Sequence, residues 1–301
     1  MRAKSVVANN FAAPFVGGCL LLLLALSGCG SATSMATSTS RDENALTGNW
    51  LLTGSLPNFG PGVFPLPPSP SIGLALSLDV AGEQVIASDS MLYSCGSGAV
   101  GGAGYLATAQ IAADGSFTLQ TPVLSGLVPT VTFTVNGVVP QTAGGTWSGT
   151  YSATNANAGC SPLSGSFTAV PIQLVTGTFA GSASLGTGSG GSPINLSVVL
   201  QQGSAGFVTT LNSVNSQNVL SGSITVQGTS CFTKGSLSLG QGSVDGGLVQ
   251  TQFAMDDGSR LLLTGAIEDA AVSKIKLDNL LVVGGQCDRL VGSGTTDLVR
   301  Q

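Results

Sequence analysis

Hydrophobic residues alternate with small or polar ones in three long segments of the chain. An aliphatic residue occupies every second position over residues 72–80, and a similar alternation recurs over 131–135 and 194–200. A period of two residues is typical of a β-strand that buries one face. Segments of this kind recur about every ten residues, the spacing of a barrel or a sandwich. The pattern therefore predicts an all-β protein.

Dipeptides that favour tight turns separate some of these segments. Asn136-Gly137, Asp114-Gly115 and Asp257-Gly258 can each adopt the positive φ angles that a short hairpin turn requires. Neighbouring strands joined in this way run antiparallel. We therefore expect antiparallel sheets connected by hairpins.

Two landmarks of the sequence occur twice at nearly the same spacing. Residues 46–50 return as 175–179, 129 positions later, and residues 160–166 return as 287–293, 127 positions later. Such self-similarity is the signature of an internal repeat. A third, looser match relates residues 110–116 to 252–259.

The repeat predicts the domain organisation of the chain. We expect two tandem antiparallel β-barrel or β-sandwich domains related by duplication, the first over residues 46–172 and the second over 173–301. A length prior of about 150 residues per domain agrees with two domains.

The amino terminus carries the features of a secretory signal. Residues 1–28 contain two early basic residues and then an apolar leucine-rich run. The last part, Leu26-Ser27-Gly28-Cys29, resembles the lipobox of bacterial lipoproteins. The resemblance implies cleavage before Cys29 and acylation of its side chain and amino group. The alternative reading is an uncleaved membrane helix.

The residues after the signal predict where the chain is held. Residues 29–45 form a Ser/Thr-rich tether with few side chains to bury. Several acyl chains on Cys29 would anchor this tether firmly in a membrane. Gly30 follows the cysteine where the resemblance would place Asp in an inner-membrane protein, so we expect the outer membrane, on its periplasmic or surface side.

Four cysteines remain after the signal and the lipidated position. They are Cys95, Cys160, Cys231 and Cys287, and four cysteines allow three pairings. The duplication favours Cys95–Cys160 and Cys231–Cys287, one disulfide in each copy, in an oxidising compartment. The alternative is a metal site of four thiolates, which the wide spacing of these cysteines disfavours.

Composition and charge exclude several classes of function. The chain has no histidine, which removes the Ser-His-Asp triad, the Cys-His pair and imidazole metal ligands. A sequence pI near 4.4 argues against a nucleic-acid partner. No catalytic motif has its required companions, so we expect no enzyme, no cofactor and no metal.

The two copies differ in charge and in proline content. No lysine or arginine occurs between Glu43 and Thr233, so the first copy is nearly uncharged. It also contains a proline-rich stretch over residues 56–71, which is unsuited to a central strand. This stretch carries Phe59 and Phe64. It is either a lid over one end of its own barrel or a loop that docks a partner.

Gly48-Asn49-Trp50 opens the first copy and resembles the G-x-W start of the lipocalins. The arrangement is also similar to Gly/Ser/Thr-rich tandem-domain bacterial lipoproteins. The lipocalin resemblance implies a small antiparallel barrel with an apolar interior, where Trp50, Phe59, Phe64 and Trp147 could contact a ligand. Core packing is the default explanation for the two tryptophans, and lining of a ligand cavity comes next.

Together these features predict a lipid-anchored, non-enzymatic protein of the cell envelope. We expect a structural or adhesive role, with the membrane and an envelope or extracellular component as partners. The alternative is lipocalin-like binding of a small apolar ligand in one or both barrels. A binding site normally shows a few placed polar groups, and the sequence displays none.

Overall fold

The computed structural model describes residues 43–55, 59–60, 71–81, 83–95, 99–120, 131–155, 161–186, 191–203, 206–210, 213–238, 240–293 and 296–301. Within these ranges the chain forms one 3-10 turn, Glu43–Leu46, and no helix long and apolar enough to cross a bilayer. The strands are β1 Gly48–Gly54, β2 Phe59–Gly60, β3 Ser71–Ala81, β4 Gln84–Cys95, β5 Ala99–Gln110, β6 Ser116–Gln120, β7 Val131–Val138, β8 Trp147–Asn155, β9 Leu163–Pro171, β10 Gly177–Gly186, β11 Ser192–Gln202, β12 Gly206–Thr210, β13 Ser213–Gln227, β14 Lys234–Leu237, β15 Gly242–Asp245, β16 Leu248–Met255, β17 Arg260–Ile267, β18 Lys274–Val283, β19 Val291–Ser293 and β20 Thr296–Arg300.

The first sheet, here called barrel 1, contains β1 to β9. Its strands follow the order β5-β4-β3-β1-β9-β8-β7-β6, and the short β2 pairs in parallel with β3. The two strands at the ends of this order meet at one turn, where the Ala112 amide donates to the Ser116 carbonyl oxygen at 2.8 Å. The sheet therefore curls into a nearly closed antiparallel barrel.

The second sheet, barrel 2, contains β10 to β20. Its order runs β11-β10-β19-β18-β17-β16-β14-β13-β12, and β20 extends β19 between β10 and β18. Pairing of β11 with β13, from Asn195↔Gln227 to Gln202↔Leu220, joins the two sides of the sheet. Barrel 2 is therefore closed.

The predicted all-β class is confirmed, and the three alternating segments are the strands β3, β7 and β11. In β3 the side chains of Leu74, Leu76 and Leu78 are buried inside barrel 1. The turn predicted at Asn136-Gly137 is wrong, because both residues lie within β7 and pair with β6 and β8.

Each barrel encloses its own hydrophobic core, and among the described residues none belongs to both cores. The core of barrel 1 consists of Leu46, Trp50, Leu52, Leu74, Leu76, Leu78, Val85, Ala87, Ala109, Phe117, Leu119, Phe133, Val135, Val139, Trp147, Tyr151, Ala153, Phe167 and Ala169. The described core of barrel 2 is mainly aliphatic, with Val175, Phe179, Leu200, Leu220, Phe253, Leu261, Val282 and Leu298 among its members.

The duplicated sequence adopts a duplicated structure at the start of each barrel. The Thr47 hydroxyl accepts a hydrogen bond from the Val80 amide at 3.1 Å, and the Thr176 hydroxyl accepts one from the Gln202 amide at 3.3 Å. Each bond ties the threonine that precedes the first strand of a barrel to the end of the strand that pairs with it in the same sheet, β3 or β11. The same residue type thus performs the same task in both copies.

Backbone conformation and strand register repeat as well. Gly48 and Gly177 have φ angles of 140° and 136°, which favour glycine. Two residues later, Trp50 pairs with Pro171 and Phe179 pairs with Arg300, so the first and last strands of each barrel share one register.

The third, looser sequence match does not mark an equivalent position. The Asp114 turn joins β5 to β6, whereas the Asp257 turn joins β16 to β17. Both aspartates nevertheless accept hydrogen bonds at Oδ1 from the amide and hydroxyl of a serine two residues later. The match therefore reflects one turn motif used at two different joints.

Candidate functional site

The two tryptophans with a predicted ligand role contact each other inside barrel 1. The rings of Trp50 and Trp147 meet edge to face, with centroids 5.8 Å apart. Both side chains are buried, and the Trp50 indole N–H donates to the Leu46 carbonyl oxygen at 2.8 Å. Trp50 therefore also ties the 3-10 turn to the barrel.

Other aromatic rings continue this cluster through the interior. Trp147 packs against Phe117 with a centroid distance of 5.5 Å and against Phe167 at 5.0 Å. Phe133 and Tyr151 stack at 6.2 Å. Such pairs add to the free energy gained by burying the rings alone.

Glycines on β7, β8 and β9 make room for these rings. A Cβ atom on Gly137 would lie 2.7 Å from the ring of Phe117, and one on Gly149 would lie 2.7 Å from the ring of Phe167. Gly165 leaves space in the same way beneath Tyr151. Small and large residues therefore alternate to fill the interior, as in other small barrels.

The structure does not describe the side chains of the remaining predicted ligand and lipidation residues. Phe59 lies in β2, whereas Phe64 lies outside the described residues. Cys29, the signal over residues 1–28 and most of the tether also lie outside them.

One of the two predicted disulfides is present. Cys231 and Cys287 are bonded, with a Cα–Cα distance of 5.9 Å and a sequence separation of 56 residues. Both pack against the core of barrel 2. Cys95 ends β4, and its predicted partner Cys160 lies outside the described residues.

A polar network joins the two barrels. The Asn49 side-chain oxygen accepts hydrogen bonds from the Asn218 amide group at 2.8 Å, from the Gly246 backbone amide at 3.0 Å and from the Ser77 hydroxyl. The Gly246 amide also lies 2.9 Å from the Ser77 hydroxyl oxygen. Asn49 and Ser77 belong to barrel 1, whereas Asn218 and Gly246 belong to barrel 2.

The backbones of the two barrels approach each other closely beside this network. A Cβ atom on Gly246 would lie 3.0 Å from the carbonyl carbon of Ala75 and would collide with the Leu76 amide. Ala75 alternates with the inward-facing leucines of β3, yet it is fully buried. We call Asn49, Ala75, Ser77, Asn218 and Gly246 the inter-barrel junction.

The ion pairs of the described residues lie on barrel 2. Lys274 bridges Glu268 at 3.1 Å and Asp297 at 3.2 Å, and Lys276 bridges Glu268 at 3.3 Å. Partial burial opposes ionisation of Glu268, but hydrogen bonds from both lysines outweigh it and lower the pKa of this carboxyl. All four side chains are substantially exposed, so each pair contributes little stability.

The depressions found among the described residues are shallow and open on the outer walls. One of about 590 Å³ lies over β13, β14 and β16 and is lined by residues such as Lys234, Gly235 and Asp256. A second, about 420 Å³, is lined mainly by small and polar residues of β10, β11 and β13. The described residues contain no group of three or more acidic or cysteine side chains placed to hold a metal ion.

No protein-family model matches the chain, and no curated protein is similar to it.

Proposed function

We propose that this chain is a lipid-anchored, non-enzymatic protein of the cell envelope with a structural or adhesive role. The observation that carries the proposal is the hydrophobic core that the described side chains of each barrel form inside it. A barrel packed with its own side chains offers its outer wall, rather than its inside, to other molecules.

Barrel 1 supports this proposal most directly. Trp50 and Trp147 occupy the space that a bound apolar ligand would need, and their neighbours are other rings of the same barrel. The glycines beneath these rings leave space for aromatic side chains of the barrel itself, because a Cβ atom added to them would collide with those side chains. Carrier barrels instead keep an apolar cavity open.

The character of the outer walls also supports an interaction role. On β6, β7 and β8 the exposed side chains of Thr118, Asn136 and Thr150 form a hydrogen-bonded row. Uncharged polar walls of this kind favour partners without strong charge, and contacts to them would depend little on salt.

The anchor is tested by cell fractionation. Cys29→Ala should move the protein from the membrane fraction to the soluble envelope fraction, because acylation requires the cysteine. Cys19→Ala, which alters the apolar run of the signal, is the matched control and should leave the protein membrane-bound. Retention of the Cys29→Ala chain in the membrane fraction would contradict the anchor.

The filled interior is tested by native mass spectrometry of the secreted Cys29→Ala chain. We expect the mass of the polypeptide alone, before and after solvent extraction. A co-purifying small molecule at one or two copies per chain would favour the alternative function, lipocalin-like binding of an apolar ligand.

A further inference from the structure

The inter-barrel junction suggests a role for the middle residue of Gly48-Asn49-Trp50. We propose that Asn49 locks barrel 1 and barrel 2 into one rigid unit, so that their relative orientation is fixed rather than variable about the linking residues 172–176. This inference goes beyond the proposed function, since it holds whatever the outer walls contact.

The side chains of the hydrogen-bonded network between the barrels are buried, so a change in the relative position of the barrels would leave polar groups unsatisfied. Asn49, Ser77 and Asn218 are only 5%, 2% and 4% exposed, although all three are polar. Loss of the Asn49 acceptor would leave buried donors unsatisfied, and an unsatisfied buried donor retains its full desolvation cost. Thr178, the equivalent residue of the second copy, is partly exposed.

Shape adds to this specificity. Gly246 has a φ angle of 52°, and its missing side chain lets the β15–β16 turn rest on the backbone of β3. Any displacement of barrel 2 along β3 would lose the hydrogen bonds to Asn49 and Ser77 together. One arrangement of the two barrels is therefore strongly preferred.

The linking residues are held from both sides. The Ile172 amide donates to the Asn49 carbonyl oxygen at 2.9 Å, and the Gln173 amide donates to the Ala270 carbonyl oxygen at 2.8 Å. Asn49 thus contacts the link through its backbone and barrel 2 through its side chain. Asn49 therefore takes part both in the hydrogen bond that holds the link and in those that hold barrel 2.

Hydrogen exchange of the full chain tests the proposal. In Asn49→Leu we expect the Gly246 amide and residues 75–78 to exchange about tenfold faster or more, because a lost buried hydrogen bond opens the junction. Asn136→Ala removes an exposed, hydrogen-bonded asparagine from the outer face of the same barrel, and it should leave exchange at the junction unchanged.

Tryptophan fluorescence separates junction opening from unfolding, because both tryptophans of the chain lie in the core of barrel 1. Native fluorescence with unchanged exchange at Gly246 in Asn49→Leu would overturn the proposal. Should Asn49→Leu unfold barrel 1, Gly246→Ala decides instead, since the substituted residue belongs to barrel 2 and its Cβ atom would press on β3 at the junction. Faster exchange over residues 75–78 in that variant supports the lock, and unchanged exchange contradicts it.

Discussion

The described core of barrel 1 contains six aromatic side chains, whereas that of barrel 2 contains three phenylalanines among mainly aliphatic residues. Barrel 1 makes space for its rings with glycines and has no lysine or arginine from which to form an ion pair. Barrel 2 closes fully, carries the Cys231–Cys287 disulfide and displays a cluster of exposed ion pairs. The two copies nevertheless open with the same threonine bond, glycine conformation and strand register.

This difference shows which parts of the repeated unit are constrained. The first strand and its contacts must direct the chain into the barrel, so their geometry is retained in both copies. The interior needs only to be filled at the density of a protein core, which rings over glycines and branched aliphatic residues both achieve. Stability can then come from different sources in the two barrels.

The largest effect is expected from a substitution that disrupts the aromatic core of barrel 1. Trp147→Ala should lower the free energy of unfolding of barrel 1 by about 3–5 kcal/mol, because it removes a large buried ring and leaves a cavity. Trp147→Phe, which keeps a ring, should cost less. Urea unfolding followed by the fluorescence of Trp50 measures both variants. A loss below about 1 kcal/mol for Trp147→Ala would show that the cluster is not a packed core.

The second effect concerns the disulfide of barrel 2. Replacing Cys231 and Cys287 by alanine should destabilise barrel 2 by about 4 kcal/mol, since the bond closes a long loop in the unfolded chain. The unfolding transition seen by tryptophan fluorescence should shift much less, because the tryptophans report barrel 1. Circular dichroism reports the strands of both barrels, so a shift that it shows and fluorescence does not belongs to barrel 2. An equal shift of both transitions would mean that the disulfide also supports barrel 1.

A third, smaller effect should be equal in the two barrels. Gly48→Ala and Gly177→Ala should each cost about 1–3 kcal/mol in their own barrel, because both place a side chain in a backbone region that favours glycine. Gly203→Ala is the control, since its Cβ would make only an ordinary contact of 3.6 Å. Unequal losses for the first two variants would indicate that the two copies share this backbone geometry but not its contribution to stability.

The smallest effect is a pH dependence of the stability of barrel 2. The Thr233 hydroxyl and amide donate to Asp256 and lower its pKa, and the pKa of Glu268 is lowered as well. A lowered folded-state pKa contributes stability above the ordinary value near 4 and loses it as the pH falls through the folded value. We expect the melting temperature of barrel 2 to fall by less than about 4 °C on acidification from about pH 6 to pH 3.

One carboxyl opposes this trend. Burial raises the pKa of Asp278, so its protonation on acidification favours the folded state. Asp278→Asn should therefore steepen the acid-induced loss, whereas Glu268→Gln should flatten it. Identical pH profiles for the two variants in calorimetry would contradict these assignments.

Much of the fold follows from local pattern, whereas the contacts between distant residues do not. Alternation predicted β3, β7 and β11 because a half-buried strand needs a period of two, and the repeat predicted the Cys231–Cys287 pair. Gly137 was predicted in a turn, but it lies under a ring supplied by other strands. Local sequence cannot reveal which neighbour a glycine will face.

The junction lay beyond sequence reasoning for the same reason. Asn49 bonds to Asn218 and Gly246, which follow it by 169 and 197 positions. Nothing beside Asn49 in the sequence distinguishes it from an ordinary exposed strand residue. Only the packing of one barrel against the other buries it.

The most direct test of two independent filled cores is denaturant unfolding of the full chain, followed by tryptophan fluorescence and circular dichroism, for the wild type and for Phe179→Ala. Phe179 is the buried counterpart of Trp50 in barrel 2. We predict that the substitution shifts the barrel 2 part of the circular-dichroism transition strongly and the fluorescence transition of barrel 1 much less, because only the inter-barrel junction couples the two cores. A fluorescence shift as large as the circular-dichroism shift would contradict the account, because it would mean that the two copies share one core.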